Sequence, residues 1–240
     1  AVAQMGLPPL IAVLLSILIC ALLGVLIEFL AYKPLRQAPP LSVLITAIGV
    51  SYFLQNLALI LFGSQQKAYP TIVQLGQVTL GSVTIDGVTI LTLLVTALIM
   101  VVLSFFINRT RMGTAIRAVA IDQDTAKLMG INVDNIISMI FLIGPALGGA
   151  AGVMMGLYYG QITYDMGFSF GLKAFTAAIM GGIGNIPGAM VGGILLGVLE
   201  AMGAAYVSIA WKDAIAFLVL ILILIFRPTG LLGERVAEKI

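Results

Sequence analysis

Two acids in this sequence stand where acids are expensive. Glu28 lies near the end of an apolar run from Leu7 to Leu30, and Glu200 lies inside another from Ala189 to Val207. An ionisable group at bilayer depth is rare, and as a rule it is paired or functional. Glu28 has Lys33 and Arg36 within about two helical turns, so it reads as ion-paired or snorkelled at a membrane boundary. Glu200 is different: counted from Gly188 at 1.5 Å per residue, it sits roughly 18 Å into the membrane, just past the midplane. It could line a substrate path, relay a proton, or serve as a hydrogen-bonded structural acid of the bundle.

Other chemistry is excluded. The chain has no His, so it lacks the commonest metal ligand and the commonest general base near neutral pH, and zinc-type intramembrane proteolysis and Ser-His hydrolysis are ruled out. No catalytic residue and no metal site is expected. No lysine stands in a G-x-x-x-x-G-K-[ST] arrangement, so nucleotide phosphates are not cradled by this chain. It binds no cofactor by this reading, and any ATP would be hydrolysed elsewhere. The one cysteine, Cys20, lies in an apolar run and forms no intrachain disulfide. A net charge of +2, scattered along the chain, makes no basic stripe for nucleic acid.

The elements that position these residues follow from composition. Of 240 residues 61% are hydrophobic and only 22 are charged, against about 25% in a soluble chain. The surface therefore faces lipid. A single transmembrane domain, 1–240, is expected, with apolar stretches at about 7–30, 41–62, 90–108, 135–160, 171–183, 189–207 and 213–226. Residues 171–183 are short for a crossing, which needs about 20, so 171–183 and 189–207 read as a broken pair. The fold class is all-α, polytopic, with about six transmembrane helices, one of them short or broken. The β-branched alternation around Gly81-Ser82 and Asp86-Gly87 reads as a small hairpin.

Basic residues decide the sidedness. If 171–183 crosses, the loops at 31–40, 108–134 and 184–188 share a side with the C-terminal tail, and this side holds nine of the twelve basic residues. A re-entrant segment would even the ratio to six against six. The crossing arrangement is preferred: N-terminus outside, C-terminus cytoplasmic, the turn at Gly184, Pro187 and Gly188 cytoplasmic, and the hairpin extracytoplasmic.

Two stretches carry small residues at a spacing of four: Gly144, Gly148, Gly152, Gly156 and Gly160, and Ala189, Gly193, Gly197, Ala201 and Ala205. Such a stripe lies on one helix face and lets a neighbouring backbone approach. Helix packing is the expectation, with Pro145 kinking the first of the two helices.

The longest charged segment runs from Arg109 to Asp134. Asp122 suits an N-cap, Gln123 to Met129 can make two helical turns, Gly130 suits the residue after the C-cap, and Asp134 can cap the next span. This is a short cytoplasmic helix joining two spans. Asp124-Thr125-Ala126-Lys127-Leu128-Met129-Gly130 resembles the E-A-A-x-x-x-G loop of ABC-importer permeases. Arg117-Ala118 through Asp122, Leu128-Met129-Gly130-Ile131-Asn132, Tyr158-Tyr159-Gly160-Gln161, Gly182 to Ala189 and Phe226-Arg227-Pro228-Thr229-Gly230-Leu231-Leu232-Gly233 narrow the likeness. They resemble the LivH-like permeases for branched-chain amino acids, from about Leu7 to Lys239.

That resemblance implies an importer of the bacterial inner membrane. Its parts would be two permease subunits, two cytoplasmic ATPases that bind ATP and Mg, and an extracytoplasmic substrate-binding protein delivering branched-chain or related amino acids. It places Asp124, Ala126 and Gly130 on the motif that couples to the ATPase, with Arg117 and Asp122 on its flank. Asp124 and Thr125 depart from the general Glu-Ala, so only Ala126 and Gly130 match strictly. Family members have further N-terminal membrane segments, so the resemblance also implies an N-terminally truncated chain. The alternative is a proton-coupled secondary transporter using Glu200, which needs no ATPase.

Overall fold

The computed structural model describes residues 8–36, 38–70, 76, 78–80, 83–182, 184–227 and 229–233. It is helical nearly throughout, as backbone in hydrocarbon must bond to itself. The chain divides into two compact units, one comprising 1–98 and 105–166 and the other 99–104 and 167–240.

The first unit opens with α1 (Pro9–Ile27), which starts on Pro8 and Pro9 and passes without a break into a π-helical turn, Glu28–Tyr32, and a 3₁₀ turn, Lys33–Leu35. The helix α2 (Pro40–Phe62) follows. Strand β1 (Lys67–Ala68) comes next, then a hairpin of β2 (Val78–Leu80) and β3 (Val83–Ile85) in the register Val78–Ile85, Thr79–Thr84, Leu80–Val83. Its turn residues Gly81 and Ser82 lie outside the described residues. Asp86-Gly87 does not belong to the hairpin: Gly87 opens α3 (Gly87–Arg109). The long α6 (Val133–Tyr159) runs unbroken through Pro145 and ends at Gly160 in the left-handed conformation. A two-residue strand β4 (Gln161–Ile162) then pairs antiparallel with β1, Lys67 opposite Ile162. That pairing puts the loops after α2 and after α6 at the same end of the unit.

The glycine stripe of α6 is one step off the face that packs. A methyl group added at Gly144, Gly148 or Gly152 meets nothing within 4 Å, and of the stripe Gly156 alone is covered, by the ring of Tyr69. Burial there pushes the Tyr69 phenol above its ordinary range. The face turned to α1 is instead Pro145, Gly149 and Val153. Gly24 of α1 has the Phe141 carbonyl and the Pro145 ring against it, and Gly149 has Cys20 and Ile17. The packed face also repeats every four residues, Pro145, Gly149 and Val153, but it mixes one glycine with larger side chains and so does not stand out in the sequence. What selects the packed face is the complementary gap at Gly24 on the partner helix.

The second unit repeats the displacement. Helix α7 (Met166–Gly181) turns through Gly182 and Gly184, both with positive φ, into α8 (Ile186–Tyr206), followed by α9 (Lys212–Phe226). Ile183 lies outside the described residues. The close seam of α8 is Gly188, Gly192, Leu196, Glu200 and Gly203, all buried, whereas Gly193 and Gly197 of the predicted stripe are exposed. An added methyl at Gly192 would strike the Ala177 carbonyl, and Ala177, Met180 and Leu196 form the core beside it.

The turn at 182–188 is more than a connection. Asn185 caps α8 by accepting from the Gly188 amide (3.0 Å), and its own amide donates to the Leu232 carbonyl (2.8 Å). The Leu231 and Leu232 amides donate to the carbonyls of Met180 and Gly181, both at 2.9 Å. Gly182, Gly230 and Gly233 approach so closely that none has room for a side chain. Two of the stretches that carry the family resemblance thus meet backbone to backbone.

Five helices are long and apolar enough to cross a membrane, and Met166–Gly181 and Phe217–Phe226 are shorter apolar helices. The described residues therefore hold seven apolar helices, where about six were expected. An N-terminus outside with a C-terminus inside in fact requires an odd number of crossings. The chain is an all-α, multi-pass membrane protein.

Candidate functional site

The loop between α3 and α6 is a built platform. The sequence predicts no element over 109–121, but α4 (Arg111–Ile121) occupies most of it, with Met112, Ala115, Ile116 and Val119 at helical spacing. The Thr110 hydroxyl caps this helix by accepting from the Gly113 amide (3.0 Å). Gly113 lies against the Phe106 and Ile107 carbonyls, where a side chain would block the sharp turn out of α3. Arg117 reaches back to bond Asn108 (2.9 Å) and Thr114 (3.4 Å), so it braces α4 on the end of α3.

Helix α5 (Gln123–Leu128) is held at both ends. Asp122 accepts from the Asp124 and Thr125 amides at 3.0 and 3.1 Å, and the Thr125 hydroxyl donates to its other oxygen at 2.7 Å. At the far end the Ile131 amide bonds the Ala126 carbonyl and the Gly130 amide bonds that of Lys127. This Schellman closure needs a left-handed residue after the C-cap, and Gly130 supplies it with φ of 81°. Ala126 is buried with Val119, Val133 and Ile136, and Ile131 packs on the same cluster. The next helix is capped by Asn132, which accepts from the Asn135 amide at 3.2 Å, and not by Asp134 as expected.

Asp134 is free for another contact because it lies in the first turn of α6. Arg36 bridges it to Glu28: one guanidinium nitrogen bonds Asp134 and another bonds Glu28. The Ser138 hydroxyl donates to the second Glu28 oxygen at 3.1 Å. Glu28 is only 2% exposed, so this carboxylate is held by an opposite charge and a hydroxyl in a site from which water is excluded. The π-helical turn begins at Glu28, and such turns recur at functional positions. The arrangement ties the end of α1 to the start of α6, directly beneath α5. A cavity of about 510 Å³ opens there, lined by Lys33, Arg36, Gln123, Lys127, Asp134 and Ile137 among others.

The outer face of the platform is apolar and exposed. Ile121, Leu128 and Met129 are 82%, 89% and 78% exposed, flanked by the exposed Asp124–Lys127 pair (3.2 Å). A monomeric water-facing loop has no reason to display three large apolar side chains together, and such patches mark binding surfaces.

Glu200 belongs to the second unit, far along the chain from this platform. Its partner is Lys173 of α7 at 2.9 Å. Lys173 falls within the apolar stretch expected at 171–183, and the structure places it inside α7.

A platform of this kind, carried by a bundle of apolar helices, matches what the sequence motifs imply, and the comparisons agree. The model of the family "Branched-chain amino acid transport system / permease component" matches residues 1–224. The chain belongs to this permease family. The high-affinity branched-chain amino acid transport system permease protein BraD of Pseudomonas aeruginosa is 46% identical over 229 residues, covering 94% of this chain and 75% of that protein. LivH of Escherichia coli K12 is 45% identical over the same length, covering 94% and 74%. More distant, the autoinducer 2 import permease LsrC of Yersinia enterocolitica is 29% identical over 136 residues, 54% of this chain and 38% of that one. No solved structure matches. Membership in a permease family supports a transport subunit, and not the proton-coupled carrier that Glu200 alone had left open. The sequence offered Lys33 or Arg36 as the partner of Glu28, and Arg36 is the one that meets it; the contacts of Arg36 with Asp134, and those of Ser138, Asn132 and Lys173, were not predicted.

Proposed function

We propose that the chain is the membrane-spanning permease subunit of an ATP-driven importer of branched-chain amino acids in the bacterial inner membrane. It works with a second permease subunit, two ATPases that bind ATP and Mg at the cytoplasmic face, and an extracytoplasmic binding protein. The observation that carries this reading is the α4–α5 platform, whose short, doubly capped helix shows an exposed apolar face to water while its other face is locked to α6.

Sidedness follows from charge and geometry together. The Arg36–Asp134 contact brings the loops at 31–40 and 109–134 to one end of the first unit, and these loops hold Lys33, Arg36, Arg109, Arg111, Arg117 and Lys127. An excess of basic residues marks the cytoplasmic side. The C-terminus is assigned to that side as well.

Mechanistically, ATP binding draws the two ATPases together, and the platform, seated on one of them, moves with its ATPase. A floppy loop would absorb that displacement. Here Asp122, Gly130 and the Val119–Ala126–Val133–Ile136 cluster make α4, α5 and the start of α6 one piece. The Glu28–Arg36–Asp134 bridge extends the rigid piece to α1, so displacement at the surface is delivered to two spans at once.

Two experiments test the proposal. Affinity purification of the tagged chain from cells expressing the whole system should bring down ATPase subunits; a permease recovered without them would count against it. Membrane vesicles containing the complex should accumulate labelled leucine only with ATP and the binding protein, and uptake driven by a proton gradient alone would refute the ATP-driven reading.

A further inference from the structure

The cavity beneath α5 joins three elements at the edge of the membrane. Lys33 and Arg36 come from the turns after α1, Gln123 and Lys127 from α5, and Asp134 and Ile137 from the start of α6. Its volume of about 510 Å³ is that of a small-ligand site, about 300–1,000 Å³. Lys33 stands three residues past the apolar run that ends at Leu30. One helical turn deeper, Phe29 and Leu30 on α1 and Ile140 on α6 are exposed apolar side chains. A polar cavity thus continues, on both of its helical walls, into surface fit for acyl chains.

The charges around this cavity are not matched one to one. Arg36 serves two carboxylates, Glu28 and Asp134, which leaves one negative charge in excess. Of the two acids Asp134 is the reachable one, with its side chain 66% exposed against 2% for Glu28. Lys127 is matched by Asp124. Lys33 has no carboxylate partner among the described residues, and its ammonium lies 5.1 Å from the centroid of the Phe29 ring. The cavity therefore offers a cation on the α1 wall and an anion in excess on the α6 wall.

We propose that this cavity binds the headgroup of a phospholipid that carries both a phosphodiester and a primary ammonium. The phosphodiester takes Lys33, with the Gln123 amide and the Lys127 ammonium as further donors, and the lipid ammonium donates to Asp134. One ligand then answers both excess charges, and its acyl chains descend over Phe29, Leu30 and Ile140, adding apolar contact. Basic pockets at the ends of membrane helices are general headgroup sites; the accessible carboxylate is what makes this one selective. A phosphoglycerol headgroup answers Lys33 alone and sets a second anion beside Asp134. A choline headgroup brings a cation with no N–H to donate. Because the headgroup touches the end of α1, α5 and the start of α6, its presence stiffens the piece that carries the platform. That the lipid belongs to the cytoplasmic leaflet rests on the sidedness proposed above; its binding does not.

The test uses the complete complex, delipidated in an uncharged detergent and titrated with phosphatidylethanolamine, phosphatidylcholine and phosphatidylglycerol of identical acyl chains, with bound lipid counted by native mass spectrometry. Phosphatidylethanolamine should bind about tenfold tighter than either of the others, the scale of one hydrogen bond to a charged group. Asp134→Asn, which leaves Arg36 to Glu28, should erase that preference. Lys33→Gln, at an exposed position that does not endanger the fold, should weaken all three lipids about fivefold and keep their order. Arg111→Gln removes an exposed base of the same loop outside the cavity and should change neither order nor affinity. Soluble phosphoethanolamine at the same concentration should not displace the lipid. Equal binding of the three lipids, a preference for phosphatidylglycerol, a preference that survives Asp134→Asn, or equal losses in Lys33→Gln and Arg111→Gln overturns the site. Displacement by soluble phosphoethanolamine overturns the lipid as its occupant. No readout here involves transport, so such a failure leaves the importer reading standing.

Discussion

The two buried acids, Glu28 in the first unit and Glu200 in the second, look alike in the sequence and differ in the structure. Glu28 is 2% exposed and saturated by Arg36 and Ser138, and its arginine also holds Asp134. Glu200 is 7% exposed and pairs with Lys173, whose side chain is 26% exposed. Arginine's planar fork can hold two carboxylates in fixed geometry, whereas lysine's ammonium sits on a flexible stem and accepts another partner readily. One arginine thus ties the end of α1 to the start of α6 beside the platform, whereas a lysine joins α7 to α8 deep among apolar helices. Burial alone does not tell the two nodes apart; the kind of cation that meets each acid does.

The largest effect should come from removing the strut. Arg36→Ala leaves Glu28 and Asp134 without their shared cation, and breaking a buried pair from one side costs about 3–5 kcal/mol. Denaturant unfolding of the purified protein in micelles should show that loss, with part recovered in Glu28→Gln/Arg36→Ala. Lys173→Met should cost less, because Glu200 is less deeply buried than Glu28, 7% against 2% exposed. Equal losses at Arg36 and Lys173 would erase the distinction between the two nodes.

Next in size are the helix seams. Gly192→Ala forces a methyl onto the Ala177 carbonyl, and Gly24→Ala onto the Phe141 carbonyl and the Pro145 ring. Overpacking of this kind costs about 1–3 kcal/mol. Gly148→Ala and Gly197→Ala, on faces with open space, should leave the unfolding midpoint of the isolated chain unchanged. If the two sets behave alike, the packed face has been misassigned by one residue.

Those faces show what was legible in the sequence and what was not. Apolar run lengths located the helices because each run must satisfy its backbone internally. The Asp122 cap and the Gly130 stop were legible because capping is local, set by residues within a turn of one another. The spacing of four also announced that small residues pack, yet it could not say which of two adjacent stripes does. That depends on a gap in another helix, Gly24 or Ala177. For the same reason Glu28's partner could be narrowed to Lys33 or Arg36, but Asp134 and Ser138, more than 100 residues from Glu28, could not be foreseen. Helix α4 was missed although its apolar spacing was present, because Gly113 at its start reads locally as a loop residue, and its use is a turn against the end of α3.

Within the platform the contrast is between rigidity and docking. Gly130→Val puts a branched side chain at φ of 81°, a conformation that costs an L-residue about 1–2 kcal/mol, without any clash, since nothing lies within 4 Å. The Schellman closure should loosen while α6 stays folded. Binding-protein-stimulated ATP hydrolysis should then continue with leucine uptake reduced. Uptake and hydrolysis falling together would mean that Gly130 serves assembly and not coupling.

The smallest stability effect separates the two aspartates of this helix. Asp122→Ala removes an N-cap that serves two amides, a loss of about 1 kcal/mol. Asp124→Ala removes only the exposed pair with Lys127, whose side chains are 90% and 59% exposed, and such pairs contribute about 0.2–1 kcal/mol at most. A variant that leaves the fold alone is the better probe of a surface. If the platform is where an ATPase docks, Asp124→Ala should lower recovery of ATPase subunits with the permease while leaving unfolding in micelles nearly unchanged. Asp122→Ala should lower both. Identical behaviour of the two variants would show that Asp124 matters only as part of the helix, and would move the docking contact to the exposed Ile121, Leu128 and Met129.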